Sequence, residues 1–345
     1  MSLQSCLTAW LKALASRLAS IRLLLMRPIW HMYKMLRNFK STPESTCDPG
    51  PCLISLGGTG LVFKLTDTIA VKKSQAGRSD YIVEEQKIFE ILNRQPLSPY
   101  IIQDFHNTHD AIFMEYMPGG CLRSVLSQGQ IRDETGQLLR VETVPAEQDC
   151  LRWMRQLAAA AAWLENLGLA HCDIRPANIL LSSARNVKLA DFDRTHTIGH
   201  ILDALTEPFA RLLGHEGGEE YDTFGKAGSR TEQFAIGSVL FTLTRGHEPY
   251  ELEAWGREHG LIQREKLQAM EFPTLGSKEK YDEIVGDCWH GRYESIAQLS
   301  NHIASLDQHS SQVIEQQLSP SDIESRKREC EKWVESGILE ELHKL

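Results

Sequence analysis

Three side chains in the stretch HCDIRPANILL, residues 171–181, have types and a spacing that could do chemistry on a charged substrate. His171 lies two positions before Asp173, and Asn178 follows five positions after it. A second stretch, NVKLADFD, brings Asp191 to the end of an apolar run. An asparagine and an aspartate on adjacent loops can bind a divalent cation through oxygen atoms. Each stretch alone also fits an ordinary turn-forming loop, so the pair is the stronger signal.

A glycine-rich stretch upstream could approach phosphate groups. The run SLGGTGLVFKL, residues 55–65, places glycines between two strand-like segments, and Lys72 follows in the next such run, IAVKK. Because Gly57 and Gly60 lack side chains, their backbone amides can come close to phosphate oxygens, and Lys72 supplies positive charge. A lone glycine-rich turn is more often a plain hairpin, so the order of the motifs decides the interpretation.

The elements that must position these residues fall into two regions. Residues 52–117 alternate strand-like runs with one helical stretch, DYIVEEQKIFEILNR. After MPGG, two strongly apolar segments predict core helices that end at Gly168 and Gly246. A charged surface helix is expected near Pro320, with a Ser or Asp after the proline as its cap. The sequence therefore predicts an α+β fold with a small β-rich part and a larger helical part.

Charge and composition limit the possible partners. The 345 residues carry a net charge of −9, yet residues 1–40 contain seven Lys or Arg and no acid. The acidic remainder argues against a nucleic-acid partner. Residues 1–40 predict a basic amphipathic helix for contact with a membrane surface, for mitochondrial targeting or for packing on the folded body, and residues 41–51 predict a linker. Eight scattered cysteines without a C-x-x-C pair favour an intracellular, most simply cytoplasmic, location.

The order of the motifs resembles the eukaryotic protein kinase family over residues 52 to about 305: glycine-rich hairpin, strand lysine, helix glutamate, H-x-D-x-x-x-x-N, then D-F-x. The stretch TEQFAIGS is similar to part of a helix in the kinase large lobe. The whole set of motifs resembles a divergent fungal protein-kinase-like group. The resemblance implies a two-lobed fold with an N-lobe at 52–117 and a C-lobe at 118–310, and the pattern of the remaining residues predicts a helical tail at 311–345. It also implies transfer of the γ-phosphate of Mg²⁺-ATP to a protein hydroxyl, with serine or threonine favoured over tyrosine.

The resemblance assigns roles residue by residue. Asp173 takes the position of the catalytic base, and Lys72 that of the lysine at the α- and β-phosphates. Glu85 fits best as the ion-pair partner of Lys72, with Glu84 as the alternative, because apolar residues follow Glu85 at helical spacing. The expected catalytic residues are Asp173, Lys72, Glu85 and Asn178; the expected metal ligands are Asn178 and Asp191; the expected nucleotide contacts are Gly57, Gly58, Gly60, Val62, Ala70, Lys72, Met114, Glu115 and Met117.

The chain also departs from the family pattern. Cys172 replaces the arginine of H-R-D, Asp193 replaces the glycine of D-F-G, Glu232 stands where the large-lobe helix usually has aspartate, and no A-P-E follows. Arg175, two positions after the base, leaves the hydroxyl specificity open. The groups expected to touch nucleotide or metal are all present, so an active kinase is favoured. A nucleotide-binding pseudokinase that acts as an interaction module and a small-molecule kinase are the alternatives.

Overall fold

The computed structural model of the protein describes residues 50–75, 79–276, 279–306 and 317–342. The predicted amphipathic helix at 1–40 and nearly all of the predicted linker lie outside these residues. The described chain forms a small lobe built on a five-stranded sheet and a larger, mainly helical lobe. In these ranges, no helix combines the length and the apolar character needed to cross a lipid bilayer.

The small lobe consists of an antiparallel sheet and one helix. Its strands are β1 (Cys52–Leu56), β2 (Gly60–Lys64), β3 (Ile69–Ser74), β4 (Asp104–Asn107) and β5 (Ala111–Glu115), in the order β1-β2-β3-β5-β4. Helix α1 (Ser79–Leu92) connects β3 to β4. The apolar runs in the sequence located β2, β3, α1 and β5 closely, and β1 corresponds to the strand-like segment expected before the glycines, whereas β4 gave no distinct signal.

The large lobe contains most of the helices and three short strand pairs. Its helices are α2 (Leu122–Gln128), α3 (Glu147–Asn166), α4 (Ser229–Arg245), α5 (His259–Gln268), α6 (Glu279–Trp289) and α7 (Ile296–Ser305). The pairs are β6 (Gln130–Arg132) with β7 (Leu138–Val141), β8 (Leu169–Ala170) with β11 (His196–Thr197), and β9 (Ile179–Leu181) with β10 (Val187–Leu189).

Helix α4 is the central element of this lobe. Every residue from 231 to 244 is buried, and the helix packs against α3 and α6. Gly237 permits the close approach of α6, because a Cβ atom at this position would lie 2.5 Å from the Cβ of Cys288. Gly168 and Gly246 follow the ends of α3 and α4 with φ angles of 74° and 77°, a region that glycine enters without steric cost. Both helices therefore end at the glycines that the sequence predicted.

The small-lobe sheet is covered on both faces. Successive strand residues point to opposite sides, and the register pairs Val62 with Lys72 and Ala70 with Met114, so these four residues share one face. Ala70 and Met114 join the apolar core that continues into the large lobe. The other face contributes to a separate apolar core, whose sheet residues are Phe63, Ile69, Val71, Phe105, Ala111 and Phe113.

Two C-terminal helices, α8 (Pro320–Glu335) and α9 (Ile338–Leu342), cover this second face. Cys330, Ile338 and Leu342 are buried against the sheet. More than half of the residues of α8 are exposed, in keeping with a surface helix, and its apolar side packs against the sheet. Its cap differs from the expectation, because Ser319, which precedes the proline, accepts a hydrogen bond from the amide of Asp322 at 3.1 Å.

Candidate active site

Lys72 lies at the centre of a buried group of charges between the lobes. Its Nζ atom is 2.7 Å from Oε2 of Glu85 and also contacts Oδ1 of Asp191. Burial alone would lower the pKa of Lys72, but the two carboxylates outweigh it and raise that pKa above its ordinary value. The lysine is therefore a permanent cation, held by one carboxylate from each lobe.

The orientation of helix α1 places Glu85, and not Glu84, next to Lys72. Glu85 is 1% exposed, whereas Glu84 lies on the solvent side of the helix and pairs with Lys87 at 2.6 Å. The second oxygen of Glu85, Oε1, accepts a hydrogen bond from the backbone amide of Phe192 at 3.1 Å. Glu85 thereby links α1 both to strand β3 and to the segment that follows Asp191.

Asp173 is held by donors on both of its carboxylate oxygens. Oδ2 accepts hydrogen bonds from Nε of Arg175 at 2.9 Å and from Nδ2 of Asn178 at 2.7 Å. Oδ1 accepts one from the hydroxyl of Thr206 at 3.0 Å. Asn178 also donates to the backbone carbonyl of Asp173 at 2.9 Å. The carboxylate is therefore fixed in one orientation in the loop between β8 and β9.

Glu232, a buried residue of α4, is bonded to the backbone of this loop. The carboxylate of Glu232 accepts hydrogen bonds from the amides of His171 at 2.8 Å and Cys172 at 3.0 Å. Burial raises the pKa of Glu232 to about 7, although both amide bonds favour the ionised form. Cys172 has a φ angle of 61° and is buried. The two amide bonds of Glu232 thus hold an otherwise unfavourable backbone conformation next to Asp173.

The segment from Asp191 to Asp193 is anchored by Phe192. The Phe192 ring packs edge-on against Phe89 of α1, with centroids 5.4 Å apart, and against His171 at 5.2 Å. His171 accepts a hydrogen bond at Nδ1 from the Asp173 amide, so its Nε2 donates to the carbonyl of Ala190 at 3.1 Å. Burial lowers the pKa of His171, consistent with this neutral form. The packing joins α1, the Asp173 loop and the Asp191 segment.

The glycine-rich turn between β1 and β2 lies over the same region. The amide of Gly57 donates to the carbonyl of Gly60 at 2.9 Å. A Cβ atom on Gly60 would lie 2.7 Å from the carbonyl oxygen of Lys73, so a larger residue would displace β2 from β3. At the tip of the turn, the hydroxyl of Thr59 donates to Oδ2 of Asp193 at 2.9 Å. The turn therefore contacts the large-lobe segment directly.

The connection between the lobes begins at the end of β5. Met114 and Met117 are buried in the main core, as is Ala70, and Val62 packs against that core. The amides of Glu115 and Tyr116 donate to small-lobe carbonyls, and the Glu115 carboxylate pairs with Lys188 at 2.7 Å. Val62, Ala70, Met114 and Met117 thus line one apolar region beside Lys72.

The oxygen atoms of this region suit a cation that is bound by protein oxygens and phosphate oxygens together. Because Nδ2 of Asn178 faces Asp173, the amide oxygen is the atom available to bind a cation, and Asp191 provides a carboxylate. Within the described ranges, no cluster of three or more His, Cys, Asp or Glu side chains could hold a metal alone. Two protein oxygens with phosphate as co-ligand match the way in which Mg²⁺ is commonly bound.

Comparison with known proteins agrees with this geometry. A family profile described as "Protein kinase domain" matches residues 54–316. The chain belongs to the protein kinase family. The two-lobed architecture, with a β-rich N-lobe and a helical C-lobe, is the fold that the sequence motifs predicted, and the prediction of the family is confirmed.

Curated relatives are protein kinases of plants and yeast. Mitogen-activated protein kinase kinase kinase 18 of Arabidopsis thaliana is 28% identical over 199 residues, covering 53% of this chain and 52% of the relative. Mitogen-activated protein kinase kinase 9 of the same plant is 28% identical over 214 residues, covering 57% and 63%. A MAP kinase kinase kinase of Saccharomyces cerevisiae is 34% identical over 157 residues, covering 42% and 9%. The chain spans less than two thirds of the length of each of these relatives.

Two contacts of the site were not anticipated from the sequence. Thr206, which bonds Asp173, lies in an irregular segment where no motif marks it. The bond between Thr59 and Asp193 joins residues 134 positions apart. Asp193 was noted only as a departure from D-F-G, and the tip residue Thr59 was not singled out at all.

Proposed function

We propose that the protein is an active protein kinase that transfers the γ-phosphate of ATP to a serine or threonine hydroxyl of a protein. The observation that carries this proposal is the assembled ion pair between Lys72 and Glu85, with Asp191 in contact with the same lysine. Phosphoryl transfer depends mainly on positioning and on charge stabilisation, and such a cation is suited to the α- and β-phosphates.

In the proposed reaction, Asp173 orients the acceptor hydroxyl and accepts its proton while the hydroxyl oxygen bonds to the γ-phosphorus. The bond from that phosphorus to the oxygen it shares with the β-phosphate breaks, and ADP leaves. Mg²⁺, held by Asn178 and Asp191, supplies neutralisation of phosphate charge when it is bound. Gly57, Gly58 and Gly60 present their backbones to the phosphates.

The adenine side of the proposed site is apolar. Val62, Ala70 and Met114 share the inner face of the sheet, so a flat base can lie against them. The amides of Glu115 and Tyr116 are bonded within the small lobe, which leaves the Met117 amide as the expected donor to the base. The preference for serine or threonine is supported by a relative whose name includes "serine/threonine-protein kinase".

A combined measurement tests the proposal. The full chain is incubated with Mg²⁺-ATP and generic protein acceptors while the thermal midpoint is followed against ATP concentration. We expect both a rise in midpoint and transfer of the terminal phosphate, with loss of transfer in EDTA. ATP binding without transfer would select the second candidate, a nucleotide-binding pseudokinase, which the Asp193 carboxylate beside the phosphate region favours.

A further inference from the structure

The tip of the glycine-rich turn is bonded to the opposite lobe by a side-chain pair that glycine at position 193 could not form. The Thr59 hydroxyl donates to Oδ2 of Asp193 at 2.9 Å. Thr59 is the third residue of the stretch Gly57-Gly58-Thr59-Gly60, and Asp193 lies two positions after Asp191. The bond thus connects the outermost part of the turn with the segment that carries the proposed metal ligand.

The surroundings of the bond partly shield it from water. A hydrogen bond to a carboxylate is stronger than one between neutral groups, and partial exclusion of water strengthens it further. Each partner is partly buried, so neither is freely solvated.

The bond also joins the two parts of the site that are proposed to bind phosphate. It connects the turn to the segment in which Asp191 contacts Lys72. Phosphate groups bound between the turn and Lys72 would therefore lie next to the Thr59–Asp193 bond. A second contact holds the base of the turn, where Nε2 of Gln75 donates to the Gly57 carbonyl at 3.0 Å.

We propose that Asp193 is a positioning residue that acts through Thr59: it holds the glycine-rich turn closed over the phosphate end of the cleft, so that nucleotide enters and leaves only when this bond opens. The gating of nucleotide rests on the proposed function, whereas the closure of the turn does not. In this role the replacement of the D-F-G glycine slows nucleotide exchange without removing a catalytic group.

Amide hydrogen exchange of residues 57–60, measured without nucleotide, tests the closure. Thr59→Val and Asp193→Gly each remove the bond, and we expect each to speed exchange of the turn about tenfold. Thr59→Ser keeps the hydroxyl and is expected to exchange at the wild-type rate. The double variant should be no faster than either single variant, because both remove the same interaction.

Gln75→Leu serves as the matched control for a general loosening of the turn. It removes a different bond to the same turn, so its effect should add to that of Thr59→Val, unlike the effect of Asp193→Gly. Equal exchange in Thr59→Val and Thr59→Ser overturns the proposal. Additive effects of Thr59→Val and Asp193→Gly overturn it as well, since the two residues would then act separately.

Stopped-flow binding of a fluorescent N-methylanthraniloyl ATP tests the gating. Association and dissociation rates are both expected to rise about tenfold in Thr59→Val, with little change in affinity, and to return to wild-type values in Thr59→Ser. Unchanged rates in a variant whose turn exchanges faster overturn the gating. A wild-type chain that binds no nucleotide refutes the proposed function and the gating together, while the hydrogen exchange still decides whether Asp193 holds the turn.

Discussion

Single residues at this site act through fixed geometry. Asp173 receives hydrogen bonds from Arg175, Asn178 and Thr206, so both of its oxygens are held before any acceptor arrives. Enzymes gain much of their rate from such preorganisation, because little reorientation is needed during the reaction. The contacts of Lys72 are directed elsewhere, to Glu85 and Asp191. Acceptor activation and nucleotide placement should therefore be separable by mutation.

We expect Asp173→Asn to lower phosphate transfer by at least about 100-fold while Mg²⁺-ATP affinity stays nearly unchanged, because the base position contacts the acceptor and not the nucleotide. Transfer rate and ATP-dependent thermal shift are measured on the same preparation. Lys72→Met is the contrasting variant and should weaken both ATP binding and turnover. Wild-type turnover by Asp173→Asn would show that the catalytic assignment is wrong.

Glu232 should make stability depend on pH. Burial, with the carboxylates of Glu165 and Asp173 adding to it, raises its pKa from 4.5 to about 7. The folded state then binds more protons than the unfolded state between these values, so this group's contribution to stability is present below pH 4.5 and falls as the pH rises to about 7. Relative to Glu232→Gln, we expect the wild-type thermal midpoint to fall by roughly 2 °C per pH unit in that window. A difference between the two proteins that is constant from pH 5 to 7 would contradict the shifted pKa.

The sequence predicted the residues of short motifs better than those joined only by the fold. Lys72, Asp173 and Asn178 lie at fixed spacings on strands or in one loop, so their types and order were informative. Glu85 followed from helical spacing. Thr206 and Thr59 meet their partners only after distant segments have folded together, and a single threonine has no spacing to recognise. Glu232 was noted as a substitution, and its two amide bonds show how the longer side chain fits the position.

At the scale of elements, the segment between Asp191 and α4 is held by contacts within itself. Arg211 pairs with Glu216, Arg230 donates to the Phe224 carbonyl and Arg194 donates to the Ala204 carbonyl. Because Cys172 has no charge, a pocket for a phosphorylated residue of this segment would need arginines such as these three. All three have partners, and burial of Thr195 withdraws one hydroxyl from modification.

We therefore expect activity without phosphorylation of this segment. Bacterially produced protein should show the same turnover before and after phosphatase treatment. The variants Thr197→Ala, Tyr221→Phe and Thr223→Ala should each stay within about twofold of wild type, because an added phosphate would meet the acidic run EGGEEYD rather than a waiting guanidinium. A large loss in either experiment would reveal a phosphate-dependent segment.

For strand β3, the sequence pattern predicted the strand itself but not all of its packing partners. All six of its residues are buried, although only Ile69, Ala70 and Val71 are apolar, and burial on both faces is typical of a strand whose sheet is covered on both sides. The sequence predicted the strand but not the helices α8 and α9 that cover the outer face of its sheet, since these helices begin more than 200 residues later in the sequence. Long-range packing of this kind leaves no local signal.

At the scale of the whole molecule, the C-terminal helices form part of the small lobe. We expect Ile338→Ala to lower the free energy of unfolding by about 3 kcal/mol, because the side chain is 2% exposed and packs in the outer core of the sheet. Glu341→Ala, on the exposed side of the same helix, is the matched control and should change stability little. The measurement is thermal or urea unfolding of both variants. Equal stability of the two would mean that α9 does not contribute to the lobe.

The position of α8 and α9 gives the lobes a second covalent link. The chain crosses from the small lobe at Tyr116, leaves the large lobe at Leu306 and returns to the small lobe at Gln317, whose side chain donates to the Leu97 carbonyl at 2.7 Å. The ten residues 307–316 leave eleven Cα–Cα steps between Leu306 and Gln317, which span at most about 40 Å when fully extended. The two covalent connections between the lobes, at Tyr116 and through residues 307–316, close a ring. Rotation of one lobe about the other is therefore more limited than it would be about a single hinge. A single proteolytic cut between 307 and 316 would open that ring and widen the range of rotation, while the apolar face of α8 kept the severed tail on the sheet.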